Sequence, residues 1–105
     1  LVVQNVQSDE QLTVPFDHLF VNYGFKSSVG TLKEWGLDLK RHRIIVNQKQ
    51  ETSIPGVYAV GDCCFYDGKV DLIATGFGEA PTAVNNAMHF INPTERVQPK
   101  HSTSL

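Results

Sequence analysis

The stretch that most constrains this chain is Thr52-Ser53-Ile54-Pro55-Gly56-Val57-Tyr58-Ala59-Val60-Gly61-Asp62. Its core, Val57 to Val60, is a short apolar, largely β-prone run that stops at a glycine followed by a carboxylate. Such a run predicts a strand buried on both faces, the kind found inside a parallel sheet. In open α/β sheets ligands lie beyond the carboxyl ends of the strands, which is where Gly61 and Asp62 fall. Gly61 lets a backbone or ligand come close, and Asp62 offers acceptor oxygens to hydroxyl groups. Gly-Asp is also an ordinary turn at a strand end, and the pattern alone fits both readings.

A second signal lies near the carboxyl end. Ala80, Ala83, Val84, Ala87, Met88 and Ile91 recur at helical spacing, which predicts an amphipathic, core-facing helix over about 80–91. Pro81 suits a first helical turn, and Pro93 after Asn92 sets the far end. On this reading Gly76-Phe77-Gly78 is a close-approach segment before the helix, and the amides of Thr82 and Ala83 lack internal partners. A helix start carries about half a positive charge and favours a developing anion.

The rest of the chain supplies shorter elements. Leu1–Val6 and Leu12–Phe16 read as a hairpin around the polar turn Gln7–Gln11, with His18–Phe25 as a third strand. Thr31-Leu32-Lys33-Glu34 fits a capping box, and Gly36 a left-handed cap. Leu32, Trp35, Leu37 and Leu39 then form a packing lid, whereas an exposed Trp35 would mark a docking surface. Lys40-Arg41-His42-Arg43 is the one dense basic cluster and precedes the strand Ile44–Val46; it reads as a solvated turn, or as a site for an acidic partner. Cys64–Leu72 reads as a hairpin tipped by Asp67-Gly68. The tail, residues 92–105, is polar and aperiodic, and taken cold it is a frayed terminus.

Several classes are excluded or disfavoured. A net charge of −2 gives no electrostatic reason to expect nucleic acid or an anionic membrane. No apolar run approaches the ~20 residues of a membrane span. The only cysteines, Cys63 and Cys64, are adjacent, which suits neither a Cys-x-x-Cys redox pair nor a metal site. Both are expected as packed, free side chains, and the compartment as cytoplasm. The chain opens on Leu1-Val2-Val3, within an expected strand, so it reads as a piece of a longer protein.

The Thr-x-x-x-x-(apolar)-Tyr-Ala-(apolar)-Gly-Asp run resembles the second flavin fingerprint of flavoprotein reductases with two dinucleotide-binding domains. Leu72-Ile73-Ala74-Thr75-Gly76-Phe77-Gly78-Glu79-Ala80-Pro81-Thr82-Ala83-Val84-Asn85-Asn86-Ala87 and the ending His101-Ser102-Thr103-Ser104-Leu105 narrow the match. Together they resemble the thioredoxin-reductase-like ferredoxin–NADP reductases of bacteria. The resemblance covers essentially the whole chain, which corresponds to the last third or so of such an enzyme.

What the resemblance implies is specific. The fold is α/β, the C-terminal part of an FAD/NAD(P)-binding reductase, with strands within Leu1–Phe25, at Ile44–Val46 and Val57–Val60, and a helix about Ala80–Ile91. Residues 1–24 would end the NADPH-binding domain, 25–92 form the C-terminal half of the FAD-binding domain, and 93–105 extend over the flavin. Gly61, Asp62, Glu79, Ala80, Pro81 and Thr82 would contact FAD, Asp62 through a ribityl hydroxyl. The helix start would face the anionic edge of reduced flavin. His101 would stack on the flavin of the partner subunit in a homodimer, with Ser102 and Thr103 hydrogen-bonding nearby, so the tail would gate NADPH. The reaction would be hydride transfer between NADPH and FAD, then one-electron transfers to ferredoxin or flavodoxin. No residue is expected to act as catalytic acid or base, and no metal is expected. The isolated piece is expected to bind no FAD and to self-associate or swap. Two alternatives stay open: a thioredoxin-disulfide reductase piece, whose Cys-x-x-Cys would lie outside this chain, and a non-enzymatic α/β interaction module using the hairpin and Trp35.

Overall fold

The computed structural model describes residues 1–24 and 28–104 of the 105-residue chain. At the start, Val2-Val3-Gln4 (β1) and Gln11-Leu12-Thr13 (β2) pair antiparallel, with Val3 opposite Leu12. The turn between them is closed by local polar groups: the Asn5 side chain accepts from the Gln7 amide at 2.9 Å, and Gln4 Nε2 donates to Asp9 at 3.0 Å. The expected hairpin is present, although neither of its faces is covered and every residue from 1 to 24 is exposed. The expected third strand is not: residues 18–24 form no strand, and Phe25 lies outside the described residues. Beyond Thr13, Val14 still exchanges hydrogen bonds with Leu1, at 2.8 and 3.1 Å; Pro15 then has no amide to donate and the chain bends at Asp17.

Beyond it, Gly30–Trp35 forms a single 3-10 helix that ends on left-handed Gly36, φ +81°, as the glycine predicted. The capping box does not form. The N-cap is Val29, without a side-chain bond, because the helix starts one residue before Thr31. The packing lid is only half realised: Leu37 is buried and Leu32 and Leu39 partly so, but Trp35 is 59% exposed. Leu32 and Trp35 share one face of this 3-10 helix, three residues apart, yet only Leu32 reaches the core; Trp35 ends the helix, beside Gly36, on the solvent side.

The core gathers around a three-stranded sheet. Leu39-Lys40 (β3) and Arg43–Ile45 (β4) pair antiparallel, and Cys64-Phe65 (β5) joins β4 in parallel, in the order β3-β4-β5. The hairpin tip is Arg41-His42, both exposed and both left-handed (φ +51° and +64°), with Arg43 half-buried beside them. Alternation along β4 and the residue after it sends Ile44 and Val46 inward and Ile45 out. Leu37, Ile44, Val46, Ala59 and Cys64 pack together, flanked by Ile54, Val57 and Tyr66. Cys64 is fully buried, while Cys63 beside it is exposed, contrary to the expectation that both are packed; both are free thiols.

Val57–Val60 departs from its expected form. It makes one antiparallel bridge, Glu51 to Tyr58, and no parallel ladder; Ala59 is buried and the other three residues are half-buried. Thr52 turns the chain sharply: its hydroxyl donates to Val57 O at 2.9 Å and accepts the Ile54 amide at 3.2 Å, while Gly56 is left-handed. Gln50, at φ +64°, then diverts the partner segment after the Ala59 amide has bonded to Gln50 O. Two turns so close together leave room for one bridge.

The long helix, α1, runs from Ile73 to Ile91, seven residues longer at its start than expected. Pro81 therefore lies inside it, and the Thr82 and Ala83 amides belong to its interior turns. The Asp67-Gly68 turn forms before it, with Gly68 left-handed and the Lys69 amide bonded to Tyr66 O at 3.2 Å, but no second hairpin strand follows among the described residues. The helix ends at Ile91, where Asn92 becomes extended ahead of Pro93 as expected. The tail folds back: His89 Nδ1 lies 2.8 Å from Glu95 O, and Ser102–Ser104 make a 3-10 turn. No helix among the described residues is long and apolar enough to cross a membrane. The radius of gyration, 21.2 Å, compares with about 13 Å for a compact chain of this size. The uncovered hairpin and the tail lie outside the core.

Candidate functional site

The Gly-Asp turn sits on the flank of α1. After Val60 the chain enters a 3-10 turn, Gly61–Cys63, opened by Gly61 at φ +74°. Space does not require glycine there, since a Cβ would meet no heavy atom within 4 Å; the left-handed backbone does. Across from it, a Cβ on Gly76 would stand 3.5 Å from the Gly61 Cα, so turn and helix approach backbone to backbone. Asp62 projects from this turn with its side chain exposed rather than buried, and no described residue hydrogen-bonds its carboxylate.

Glu79 closes the junction. Its Oε2 accepts the Gly61 amide at 2.6 Å, and its Oε1 accepts from Tyr66 Oη at 2.8 Å and from Lys69 Nζ at 2.5 Å. The Lys69 and Glu79 side chains are only 2% and 4% exposed. The Cys64 thiol completes the cluster, 3.4 Å from Lys69 Nζ and 3.6 Å from Glu79 Oε2. Burial by itself pushes the Glu79 carboxyl up, but Lys69, the Gly61 amide and Tyr66 outweigh it and hold the group below the usual carboxylate range. For Lys69 burial acts downward, and its bonds to Glu79 and Cys64 bring it above the ordinary lysine value. Burial pushes the Cys64 thiol up, so it stays protonated at neutral pH.

The structure thus brings Gly61, Asp62 and Glu79 together, with Ala80, Pro81 and Thr82 on the next turn of α1. These last three are not a helix start. Pro81 removes the amide that would have reached Phe77 O. Around it, Thr82 Oγ1 donates to Gly78 O at 3.1 Å, Asn85 to Pro81 O at 2.7 Å and Asn86 to Thr82 O at 2.8 Å. His101, Ser102 and Thr103 are exposed in the tail and make no described hydrogen bond to the Gly61 turn. No group of three or more His, Cys, Asp or Glu among the described residues could hold a metal ion.

Lys69 and Tyr66 were missed by sequence reasoning. One signal pointed to the lysine: a carboxylate such as Glu79, set among Gly76-Phe77-Gly78 and Ala80, needs a counter-charge if it turns inward. Between Arg43 and Arg96 the only lysines or arginines are Lys49 and Lys69. A solvated Glu79 would have fitted the same residues.

The core combines a parallel strand pair with a glycine-carboxylate turn seated on a helix, an α/β arrangement in which a ligand would lie beyond the strand ends. The family described as pyridine nucleotide-disulphide oxidoreductase matches residues 2–88, and the chain belongs to that family, which implies an FAD/NAD(P)-binding α/β fold. Among characterised relatives it is 79% identical over 100 residues to a protein of Streptococcus suis named ferredoxin–NADP reductase, covering 95% of this chain and 31% of that protein. It is 71% identical over 105 residues to the ferredoxin–NADP reductase of Streptococcus pneumoniae, covering all of this chain and 33% of the relative. The chain thus spans about a third of the length of the relatives it matches.

Proposed function

We propose that this chain is the C-terminal portion of an FAD- and NADPH-dependent ferredoxin or flavodoxin reductase. Residues 1–24 would close the NADPH-binding domain, 25–92 form the second half of the FAD-binding domain, and 93–105 extend over the flavin of a partner subunit. When bound, FAD would supply hydride exchange with NADPH and single-electron exchange with ferredoxin. The residues present fit such a group. Gly61 is bare and left-handed, and Asp62 offers an exposed carboxylate to ribityl hydroxyls. Ala80, Pro81 and Thr82 would line the adjacent wall, and His101, Ser102 and Thr103 would cover the ring of the partner's flavin. Glu79 contributes from behind, because both its oxygens are already engaged. No acid or base is needed, since protein groups supply position and electrostatics.

The observation that carries this reading is the seating of the Gly61-Asp62 turn against α1, which gathers the fingerprint residues at one place. The test is a full-length reductase that has this sequence as its last third. It should purify yellow and reduce ferredoxin with NADPH, and removing residues 101–105 should alter hydride transfer. A colourless full-length protein without NADPH–ferredoxin activity overturns the proposal. The 105-residue chain by itself should retain no flavin.

A further inference from the structure

We infer that Lys69 is a positioning residue for the flavin site: paired with Glu79 beneath the surface, it pins the Gly61-Asp62 turn to α1. The inference rests on the reading of Gly61 and Asp62 as cofactor contacts. Lys69 follows the left-handed Gly68, and its side chain runs inward past the Tyr66 ring, 5.1 Å from the centroid, to reach Glu79. Three parts of the chain meet on that one carboxylate: the Gly61 amide, the Tyr66 hydroxyl and the Lys69 ammonium.

The division of labour follows from charge. An ionised carboxylate is a much stronger acceptor for a backbone amide than a neutral one, and it stays ionised under cover only if a counter-charge is supplied. Lys69 supplies it. Were the ammonium absent, Glu79 would take up a proton or draw water toward itself, and either change loosens its hold on Gly61. Asp62 is the next residue, so any slack in Gly61 passes to the carboxylate meant for the ribityl chain. Contacts of that kind tolerate displacements of only about 0.5 Å. The backbone-to-backbone approach at Gly76 leaves no side chain there to take over the task.

The experiment uses the full-length flavoenzyme and measures three things: FAD affinity of the folded apoprotein, the visible flavin spectrum, and amide exchange at Gly61 without flavin. Lys69→Met should raise the FAD Kd about ten-fold or more, the scale of one lost charge-assisted hydrogen bond, and should speed Gly61 exchange. Lys69→Met with Glu79→Gln should recover much of both, because a glutamine oxygen accepts from Gly61 without needing a counter-charge. Asp62→Ala should raise the Kd and leave Gly61 exchange unchanged. If Lys69→Met lowers the melting temperature alone, with Kd, spectrum and Gly61 exchange as in the parent, the pair is merely structural and the inference falls, while Asp62→Ala still decides the site. If Lys69→Met does not fold, Lys69→Gln, which also removes the charge but keeps a polar group beside Glu79, decides in its place, and an unchanged Kd and exchange rate overturn the inference. An Asp62→Ala protein that binds FAD as tightly as the parent removes the site reading, and the inference with it.

Discussion

Helix α1 buries Glu79 and Asn86 beside Ala83, whereas Ile73, Phe77, Val84, Met88 and Ile91 are exposed along a neighbouring stripe. The inward edge is polar and fully provided for: Glu79 has three partners, and Asn86 donates to Thr82 O. The outward stripe is apolar, with Phe77 76% exposed, and nothing among the described residues covers it. Amphipathic periodicity therefore named the apolar face correctly but misjudged what it touches. Within this chain the helix meets its neighbours through the charge cluster, buried Ala83 and the close approach of Gly76 to Gly61, and the greasy stripe is surface. Each of those side chains would gain about 1.5–3 kcal/mol on complete burial, so the stripe favours cover of some kind.

The largest effect should come from breaking the polar edge. Lys69→Met leaves a buried carboxylate without its counter-ion and should cost about 3 kcal/mol of stability, read by denaturant melts of the full-length protein. A change below about 0.5 kcal/mol would mean that Glu79 reaches solvent on its own and that the two edges do not differ in the way described. Acid and alkali probe the same contrast. Glu79 is depressed on folding, so its contribution is complete above the ordinary carboxylate value of about 4.3 and is lost as pH falls through its lower folded value. Lys69 is raised, so its contribution is complete below about 10.4 and is lost as pH climbs through the folded value. The other groups facing the pair, Cys64 and Tyr66, are both pushed up on folding, so each works against folding once pH passes its ordinary value, about 8.5 for a thiol and about 10 for a phenol. Stability from the cluster should thus be flat from about pH 5 to 8, and Lys69→Met/Glu79→Gln should remove the acid step.

The apolar stripe is tested by Phe77→Glu with Val84→Glu in the 105-residue chain. The parent chain should self-associate at micromolar concentration and the variant should run smaller on size exclusion; identical elution would show that the stripe attracts nothing. The smallest effect is expected at Arg43 and Asp71, a bidentate pair at 2.9 and 2.7 Å whose side chains are both well exposed. Its bond to Asp71 raises Arg43 and lowers Asp71, yet water and salt screen it. Asp71→Asn should leave the melting temperature nearly unchanged, and what shift there is should vanish in high salt. A large, salt-insensitive shift would erase the distinction between covered and open charge pairs.

Features set by neighbours in sequence were legible. Gly36 as a cap, Asp67-Gly68 as a turn, Asn92-Pro93 as a stop and the first hairpin each depend on a few adjacent residues, and the structure has them where the residues placed them. The start of α1 was misread because Gly76 and Gly78 each cost a helix about 1 kcal/mol; the contact with Gly61, fifteen positions away, explains Gly76, and nothing in the structure explains Gly78. Val57–Val60 was misread because periodicity reports burial and says nothing of which segment offers hydrogen bonds. Of the site, Gly61, Asp62 and Glu79 were named in advance. The lysine that matters to them was not, since pairing across ten residues leaves no local pattern.

The tip between β3 and β4 has a consequence of a different sort. Arg41 and His42 both occupy a left-handed conformation that side-chain-bearing residues adopt at a cost of about 1 kcal/mol or more each. Asparagine and glycine fit that two-residue reversal far better. Thermal tolerance is therefore recoverable at an exposed turn that takes no part in the Glu79 cluster, and an engineer seeking a hardier protein could begin there.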